Sequence, residues 1–306
     1  MKVLITGATG GFGKLLVKRL EDDPAVEHII GLSNEDLDAG LDIDDDEDEK
    51  IEFYQGDVRK KRVEEVFLKN PNIDVVVHLA YDNDPDHRGA EVEETNVFGT
   101  LRMIQLARKH GVKKFVYKSP TAVYGARPDN PILLAEDAPL RGDRNFPSMR
   151  NKIEADMTCQ MNMHPGILPR IVIIRCCGIM GDNVRSPLNT LFKAKYVPMV
   201  AGFDPMFQIM HEDDVTEALA LAVTNKKASG PFNVAGKHTE PLSEVVNRFG
   251  KKDVPLPAFI LDQIYRNVFM KRSEHSFPFD LNYIKYAFAV DTTRARKILG
   301  FEPRVL

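Results

Sequence analysis

The chain has 306 residues, enough for one large core or two tightly associated lobes, and its composition, 43% hydrophobic and 28% charged, is that of an ordinary globular protein. Disordered and collagen-like classes are excluded; no apolar run approaches the roughly 18–20 residues of a membrane span, and Met1-Lys2 leads directly into a strand pattern, so a cytoplasmic protein without membrane contact is expected. The net charge of −4 is uneven, because residues 35–49 hold ten acids and no Lys or Arg and leave the remainder at about +6, yet no basic stripe with interleaved aromatics marks a nucleic-acid surface.

Residues 2–6 read as a strand and 11–20 as the helix that follows. Between them runs Thr6-Gly7-Ala8-Thr9-Gly10-Gly11-Phe12-Gly13. A helix N-terminus offers a phosphate its unpaired N–H groups and the positive end of a dipole. Gly7 permits the tight turn, Gly10 removes a Cβ where backbone meets pyrophosphate, and Gly13 lets the helix sit close on the strand. Gly7, Ala8, Thr9, Gly10, Gly11, Phe12 and Gly13 are therefore the expected phosphate-binding turn of a dinucleotide site.

A second strand spans 27–32. About 20 residues beyond the glycines such folds often place a carboxylate for the adenosine ribose. Here the position holds Ser33, followed by Asn34. The acidic run 35–49 reads as a solvated loop whose spacing is not that of an ordered calcium site. A 2′-phosphate beside those acids meets repulsion and finds no Arg after the strand, which tilts the expected cofactor from NADP towards NAD.

A third strand covers 51–55, and the VVVHLA run within 74–80 suits a strand buried on both faces. The spacing of Val97, Leu101 and Ile104 predicts a helix over 91–110, stopped by Gly111. A strand over 114–118, a loop rich in Pro, Asp and Gly, a helix over 151–163 and a strand over 170–175 follow. This alternation predicts an α/β fold with a Rossmann-type, doubly wound, mostly parallel sheet. Beyond Cys177, Pro187, Pro198, Pro205 and Pro231 break the chain into short pieces, so a smaller, irregular C-terminal substrate lobe is expected over 178–206 and 236–306. A helix over 211–225 and a strand over 232–235 return to the cofactor lobe, which then comprises 1–177 and 207–235. Cys159, Cys176 and Cys177 lack disulfide or metal-ligand spacing and are expected as reduced structural thiols, with no metal site.

These residues resemble the extended short-chain dehydrogenase/reductase family, which contains the nucleotide-sugar epimerases and dehydratases. TGATGGFG over 6–13 is similar to its TGxxGxxG turn, Gly56-Asp57-Val58 to the segment that meets the adenine, and His78-Leu79-Ala80 to the strand end beside the cofactor. Asn96 with Gly99-Thr100 resembles the NxxGT helix, Ala122-Val123-Tyr124-Gly125 the VYG turn, and His211-Glu212-Asp213-Asp214-Val215 the HVDDV motif. The C-terminal signature is matched by residues 291–295 and 299–303, so the likeness covers nearly the whole chain in order. It implies an NAD(P) cofactor contacted by Asp57, Val58, Leu79, Ala80, Tyr81, Asn96, Ser119 and Lys152. It also implies a small-molecule substrate between two lobes, and a homodimer joined through helices near 91–110 and 147–163.

The same likeness exposes a gap. Members carry a Tyr four residues before a Lys, and a Ser or Thr three residues before the Val of VYG. A phenol of pKa near 10 acts as a base at neutral pH only beside a cation that favours its phenolate. Lys152 stands at the family's lysine and is the one expected catalytic residue, but Ser148 replaces the Tyr and Pro120 the hydroxyl. A serine hydroxyl needs a partnered base, and Pro120 has no donor. Ser119 and Thr121 flank the gap, on opposite sides of an extended segment, and Tyr81 and Tyr124 approach from other directions. Thr121, Tyr124, Ser148 and Gly178 are the expected substrate neighbours, Gly178 standing where nucleotide-sugar enzymes place an Asn. Where the family carries an Arg upstream of the final signature to clamp a diphosphate, the chain reads Phe279-Asp280-Leu281-Asn282; Lys271 and Arg272 are expected as a solvated pair rather than as a clamp from a shifted loop. His211, ahead of three acids, is expected to orient a helix start. Two functions fit: an NAD(P)-dependent epimerase, dehydratase or oxidoreductase with a degenerate catalytic set, or a non-catalytic NAD(P)-binding sensor or assembly protein. The first is preferred because pockets over a nicotinamide generally do chemistry.

Overall fold

Val3, Leu4 and Ile5 are fully buried because β1 (Lys2–Thr6) lies inside a sheet covered on both faces. The computed structural model describes residues 1–35, 50–82, 89–184, 186–264 and 280–305; the acidic run beyond Glu35, with Lys271, Arg272 and Phe279, lies outside the described residues. After β1 come α1 (Gly11–Glu21), β2 (His28–Ser33), β3 (Ile51–Gln55), α2 (Glu64–Lys69) and β4 (Val75–His78). Then follow α3 (Gly89–Glu93), α4 (Gly99–Lys109), β5 (Lys114–Pro120), α5 (Pro147–Met161) and β6 (Arg170–Cys176).

The large sheet has seven strands, and β10 (Gly230–Val234) closes the β6 edge. Its order is β10-β6-β5-β4-β1-β2-β3, and every pairing is parallel. The strand order reverses between β1 and β4, which opens a crevice at their carboxyl ends. One core packs α1 and α7 (Glu212–Thr224) on one face, with Leu16, Val17, Val215 and Leu219 against Val3, Val77 and Val116. The other packs α2, α4 and α5 on the opposite face, through Phe67, Met103, Ile104 and Ala155. Lys114 binds β5 to α7: its ammonium donates to the carbonyls of Ala222, Val223 and Asn225, at 2.7–2.8 Å.

Three departures from the sequence reading have physical causes. The helix expected over 91–110 is interrupted by a π turn over Glu94–Phe98, beside the point where Gly99 packs so close to Val58 that a Cβ would come within 3.0 Å. The helix expected from 151 starts at Pro147, whose fixed φ suits a first helical position. The chain beyond Cys177 is more regular than its prolines suggest, with β7 (Gly178–Met180), β9 (Met206–His211) and β11 (Thr239–Pro241) in a three-stranded sheet. A parallel pair is formed by β8 (Tyr196–Val200) and β12 (Lys252–Leu256), beside α6 (Pro187–Lys193), α8 (Leu242–Arg248) and α9 (Ala258–Ile264). The prolines sit where no ladder donor is lost: Pro187 opens α6, Pro231 lies on an edge strand, and Pro198 lies in a two-stranded ribbon.

Candidate active site

The turn between β1 and α1 is built by absent side chains. Gly7 has φ of +72°, and a Cβ there would lie 2.8 Å from the Ala80 nitrogen. A Cβ on Gly13 would overlap the carbonyl oxygens of Gly7 and Ala8. The turn is tied to β2 by Gly7 N–H donating to the Leu32 carbonyl at 2.7 Å. Gly10 is the N-cap of α1, no side chain caps the helix, and its first turn holds no acid. The N–H groups of Gly11, Phe12 and Gly13 have no carbonyl partner among the described residues, so this helix start is furnished for an anion.

At the end of β2, Ser33 is buried and its hydroxyl lies 2.6 Å from that of Thr9. The Thr9 hydroxyl also reaches the Glu35 carboxylate at 3.1 Å, which leaves an exposed acid beside the glycine turn. Sequence spacing stopped at Ser33 and missed Glu35, two residues along. Asp57 is held by Arg59, at 2.8 Å from Nε and 2.8 Å from the backbone N–H. Burial works to raise the Asp57 pKa, but these bonds outweigh it and keep the carboxyl below its ordinary range. A cavity of about 440 Å³ lies beside this turn, lined by Arg59, Ala90, Glu94, Phe98, Gly99 and Arg102.

The far wall of the crevice is positioned by a buried relay. Thr100 donates its hydroxyl to the Asn96 carbonyl at 2.7 Å, so His78 Nε2–H donates to Thr100 at 3.1 Å and Nδ1 accepts from Thr6 at 2.7 Å. The Thr6 oxygen accepts the Ala80 N–H at 3.2 Å. Burial, with the Lys152 charge in the same direction, pulls the His78 pKa down to about 3, so the ring is neutral. Asn96 accepts the Asp82 N–H at 2.7 Å and donates to its carbonyl at 2.9 Å, clamping the segment that carries Leu79, Ala80 and Tyr81. The amide of Asn96 is thus engaged with backbone, and Asn96 acts on the crevice through that segment.

Lys152 projects from α5 with its ammonium 2.9 Å from the centre of the Tyr81 ring. Tyr81 donates its hydroxyl to the Ser148 carbonyl at 3.1 Å. Burial, then the Asp82 charge, raises the Tyr81 pKa, so this phenol is not prepared as a base even though it reaches the first turn of α5. The Ser148 hydroxyl has no partner among the described residues, which leaves it without the base a nucleophile needs. The Ser119 hydroxyl is buried and unpaired below the crevice, and Thr121 is buried beside it.

Two expected substrate neighbours are placed otherwise. Tyr124 is fully buried; its hydroxyl accepts from Arg175 at 2.7 Å and donates to Asn233 at 2.7 Å, so it belongs to the core beneath the site. Burial, against the pull of Arg175, pushes its phenol up to about 12. Gly178 makes room for Leu188, whose Cδ1 would clash with a Cβ, and so serves the packing of α6 on β7. His211 caps α7 by accepting the Asp213 N–H at 3.3 Å, as a helix-start role requires. Residues missed by sequence reasoning include Asn183 and Glu212: the Asn183 carbonyl lies where a Gly11 side chain would be, and the buried Glu212 carboxylate holds Asn183 through its N–H and side chain.

A parallel sheet with a strand-order switch, and a glycine turn aiming free N–H groups into the crevice there, define a Rossmann-type nucleotide-binding protein. The model of the NAD dependent epimerase/dehydratase family matches residues 3–235, and the chain belongs to that family. An uncharacterized protein of Mycobacterium tuberculosis is 29% identical over 315 residues, covering 99% of this chain and 80% of its own length. Among solved structures, the fold is similar to a dTDP-glucose 4,6-dehydratase from Bacillus anthracis in complex with NAD, with TM-score 0.72 and 18% identity over 100% of this chain and 92% of that one. It is likewise similar to a UDP-glucose 4-epimerase with UDP-glucose from Thermotoga maritima, with TM-score 0.73 and 18% identity over 100% and 94%. Among the described residues no cluster of metal-ligating side chains occurs, and no helix is long and apolar enough to cross a membrane.

Proposed function

We propose that the chain binds NAD across the carboxyl edge of its sheet and uses it in an epimerase, dehydratase or related redox reaction on a small hydroxyl or carbonyl substrate, with a nucleotide sugar as the first class to test. The observation that carries this reading is the cradle at the start of α1, where side chains are absent and N–H groups are free. When bound, the nicotinamide supplies the hydride chemistry. Gly10, Gly11, Phe12 and Gly13 would hold the pyrophosphate, Ser33 and Glu35 the adenosine ribose, and Asp57 and Val58 the adenine edge. Glu35 supports NAD over NADP, because a 2′-phosphate at that ribose would meet a carboxylate. Leu79 to Tyr81, Ser119 and Lys152 would then border the nicotinamide half, over β4 and β5.

The degenerate catalytic set gives this reading its particular form. Lys152 orients the site from α5, while Ser148 and Pro120 leave proton transfer to another group. Fluorescence titration with NADH and a turnover panel of UDP- and dTDP-sugars test it together. We expect turnover to fall by at least about a hundredfold in Lys152→Ala and to be unchanged in Ser148→Ala. Binding without turnover of any substrate would favour the second reading, a non-catalytic sensor, which the unpartnered Ser148 hydroxyl and the raised Tyr81 phenol support.

The reading extends to a homodimer through the helices near 91–110 and 147–163. Phe98 is 56% exposed there and Met161 65%, leaving apolar side chains for a partner copy to cover. Sedimentation should find a dimer that Phe98→Glu converts to monomer; a wild-type monomer at micromolar concentration overturns this part.

A further inference from the structure

A lysine at the end of a buried strand normally finds a carboxylate or a set of carbonyls, as Lys114 does at the other end of β5. Lys118 finds neither. It lies two residues before Pro120, on the face of β5 that carries Val116, and its ammonium sits 4.2 Å from the centre of the Phe12 ring in the phosphate-binding turn. No hydrogen bond or ion pair of Lys118 occurs among the described residues. Lys152 approaches the same crevice from α5, against Tyr81, and also lacks a carboxylate. Cys176, opposite Pro120 on β6, is within electrostatic reach of both amines but is a buried neutral thiol whose pKa burial pushes up to about 11. Two amines thus meet over the ends of β5 and β6 with no counter-charge. Burial lowers both amines, and the Lys118 charge adds to burial at Lys152, which is held well below an ordinary lysine, so the charge of the pair rests on Lys118.

The topology says which part of a dinucleotide would meet that cation. With pyrophosphate at the start of α1 and adenosine towards β2 and β3, the remaining half falls over β4 and β5, where Lys118 ends. A nicotinamide ring is cationic when oxidised and neutral when reduced, and a fixed positive charge in a half-buried crevice separates the two forms by Coulomb energy. We propose that Lys118 is a specificity-determining residue that makes the crevice select the reduced dinucleotide, NADH, over NAD+. This rests on the reading of the crevice as a dinucleotide site. Lys118 acts by charge and position, and moves no proton. By linkage, the preference also makes bound NAD+ a stronger hydride acceptor than the free coenzyme.

The test is the ratio of dissociation constants on the full chain, NADH by its fluorescence and NAD+ by calorimetry, at one pH and ionic strength. Wild-type protein should bind NADH at least about tenfold more tightly than NAD+. Lys118→Met, which keeps the length of the side chain and removes its charge, should bring the ratio close to one, chiefly by tightening NAD+. Lys118→Arg should preserve the ratio, and circular dichroism of each variant checks the fold. Equal affinities in the wild type, or an unchanged ratio in Lys118→Met, would overturn the proposal while leaving the dinucleotide site intact. Binding of neither form would overturn the site itself and the proposal with it.

Discussion

Asp156→Ala is expected to cost about 3–5 kcal/mol of folding stability. Asp156 and Arg175 are both fully buried, and the guanidinium grips the carboxylate with Nε at 3.0 Å and Nη2 at 2.7 Å. Nη1 is engaged elsewhere, with the Tyr124 hydroxyl at 2.7 Å and the Glu136 carbonyl at 2.9 Å. The pair therefore joins α5, β6 and the turn after β5 in one arrangement beneath the crevice. Removing the carboxylate strands a fully buried guanidinium that keeps its proton, because arginine is too weak an acid to give it up in a protein. It also leaves Gln160 Nε2 without its acceptor at 2.8 Å. The midpoint of thermal unfolding should fall by roughly 10 °C. Replacing both partners, Asp156→Leu with Arg175→Met, should cost less than the single change, because no charge is then left unpaired. A loss under about 1 kcal/mol in Asp156→Ala would show that water reaches the guanidinium and that the pair is not a structural clamp.

Much of the architecture could be read from local pattern, and the exceptions share one cause. β1, the glycine turn and α1 were legible because a short continuous apolar run meets a period-3.6 run at residues whose missing side chains are themselves the signal. The family likeness placed Asp57, Lys152 and the VYG turn in order, but motif matching says where a residue stands and not what it touches. Tyr124 shows the difference: a position expected beside substrate is a buried phenol fixed by Arg175 and Asn233, partners 51 and 109 residues away. Asn96 and His78 likewise act through backbone and hydroxyl groups that no spacing rule connects to them. Lys118 reads as an ordinary strand-end cation until the fold brings Phe12 over it and Lys152 towards it. The π turn at Glu94–Phe98 was hidden because one extra residue in a helical turn leaves the apolar spacing on either side almost unchanged. What stayed illegible was pairwise contact across the sheet, which is also where the chemistry of this crevice is decided.

The second large effect concerns the cradle itself. Gly13→Val is expected to weaken NADH binding by at least about a hundredfold, because the new Cβ would overlap the carbonyl oxygens of Gly7 and Ala8. Neither oxygen can retreat freely. Gly7 is held to Leu32 at 2.7 Å and packs against Ala80, and its carbonyl accepts the Gly10 N–H at 3.1 Å. The helix must therefore tilt away from β1, which carries the N–H groups of residues 11–13 away from any phosphate they would hold. A second variant separates loss of the site from loss of stability. Gly111→Ala places a Cβ in open space at φ of +69°, far from the turn, and should cost about 1 kcal/mol of stability through backbone strain alone. It should bind NADH with wild-type affinity. If Gly13→Val folds and retains wild-type affinity, the dinucleotide is held by some other part of the chain and the helix start has no part in its capture.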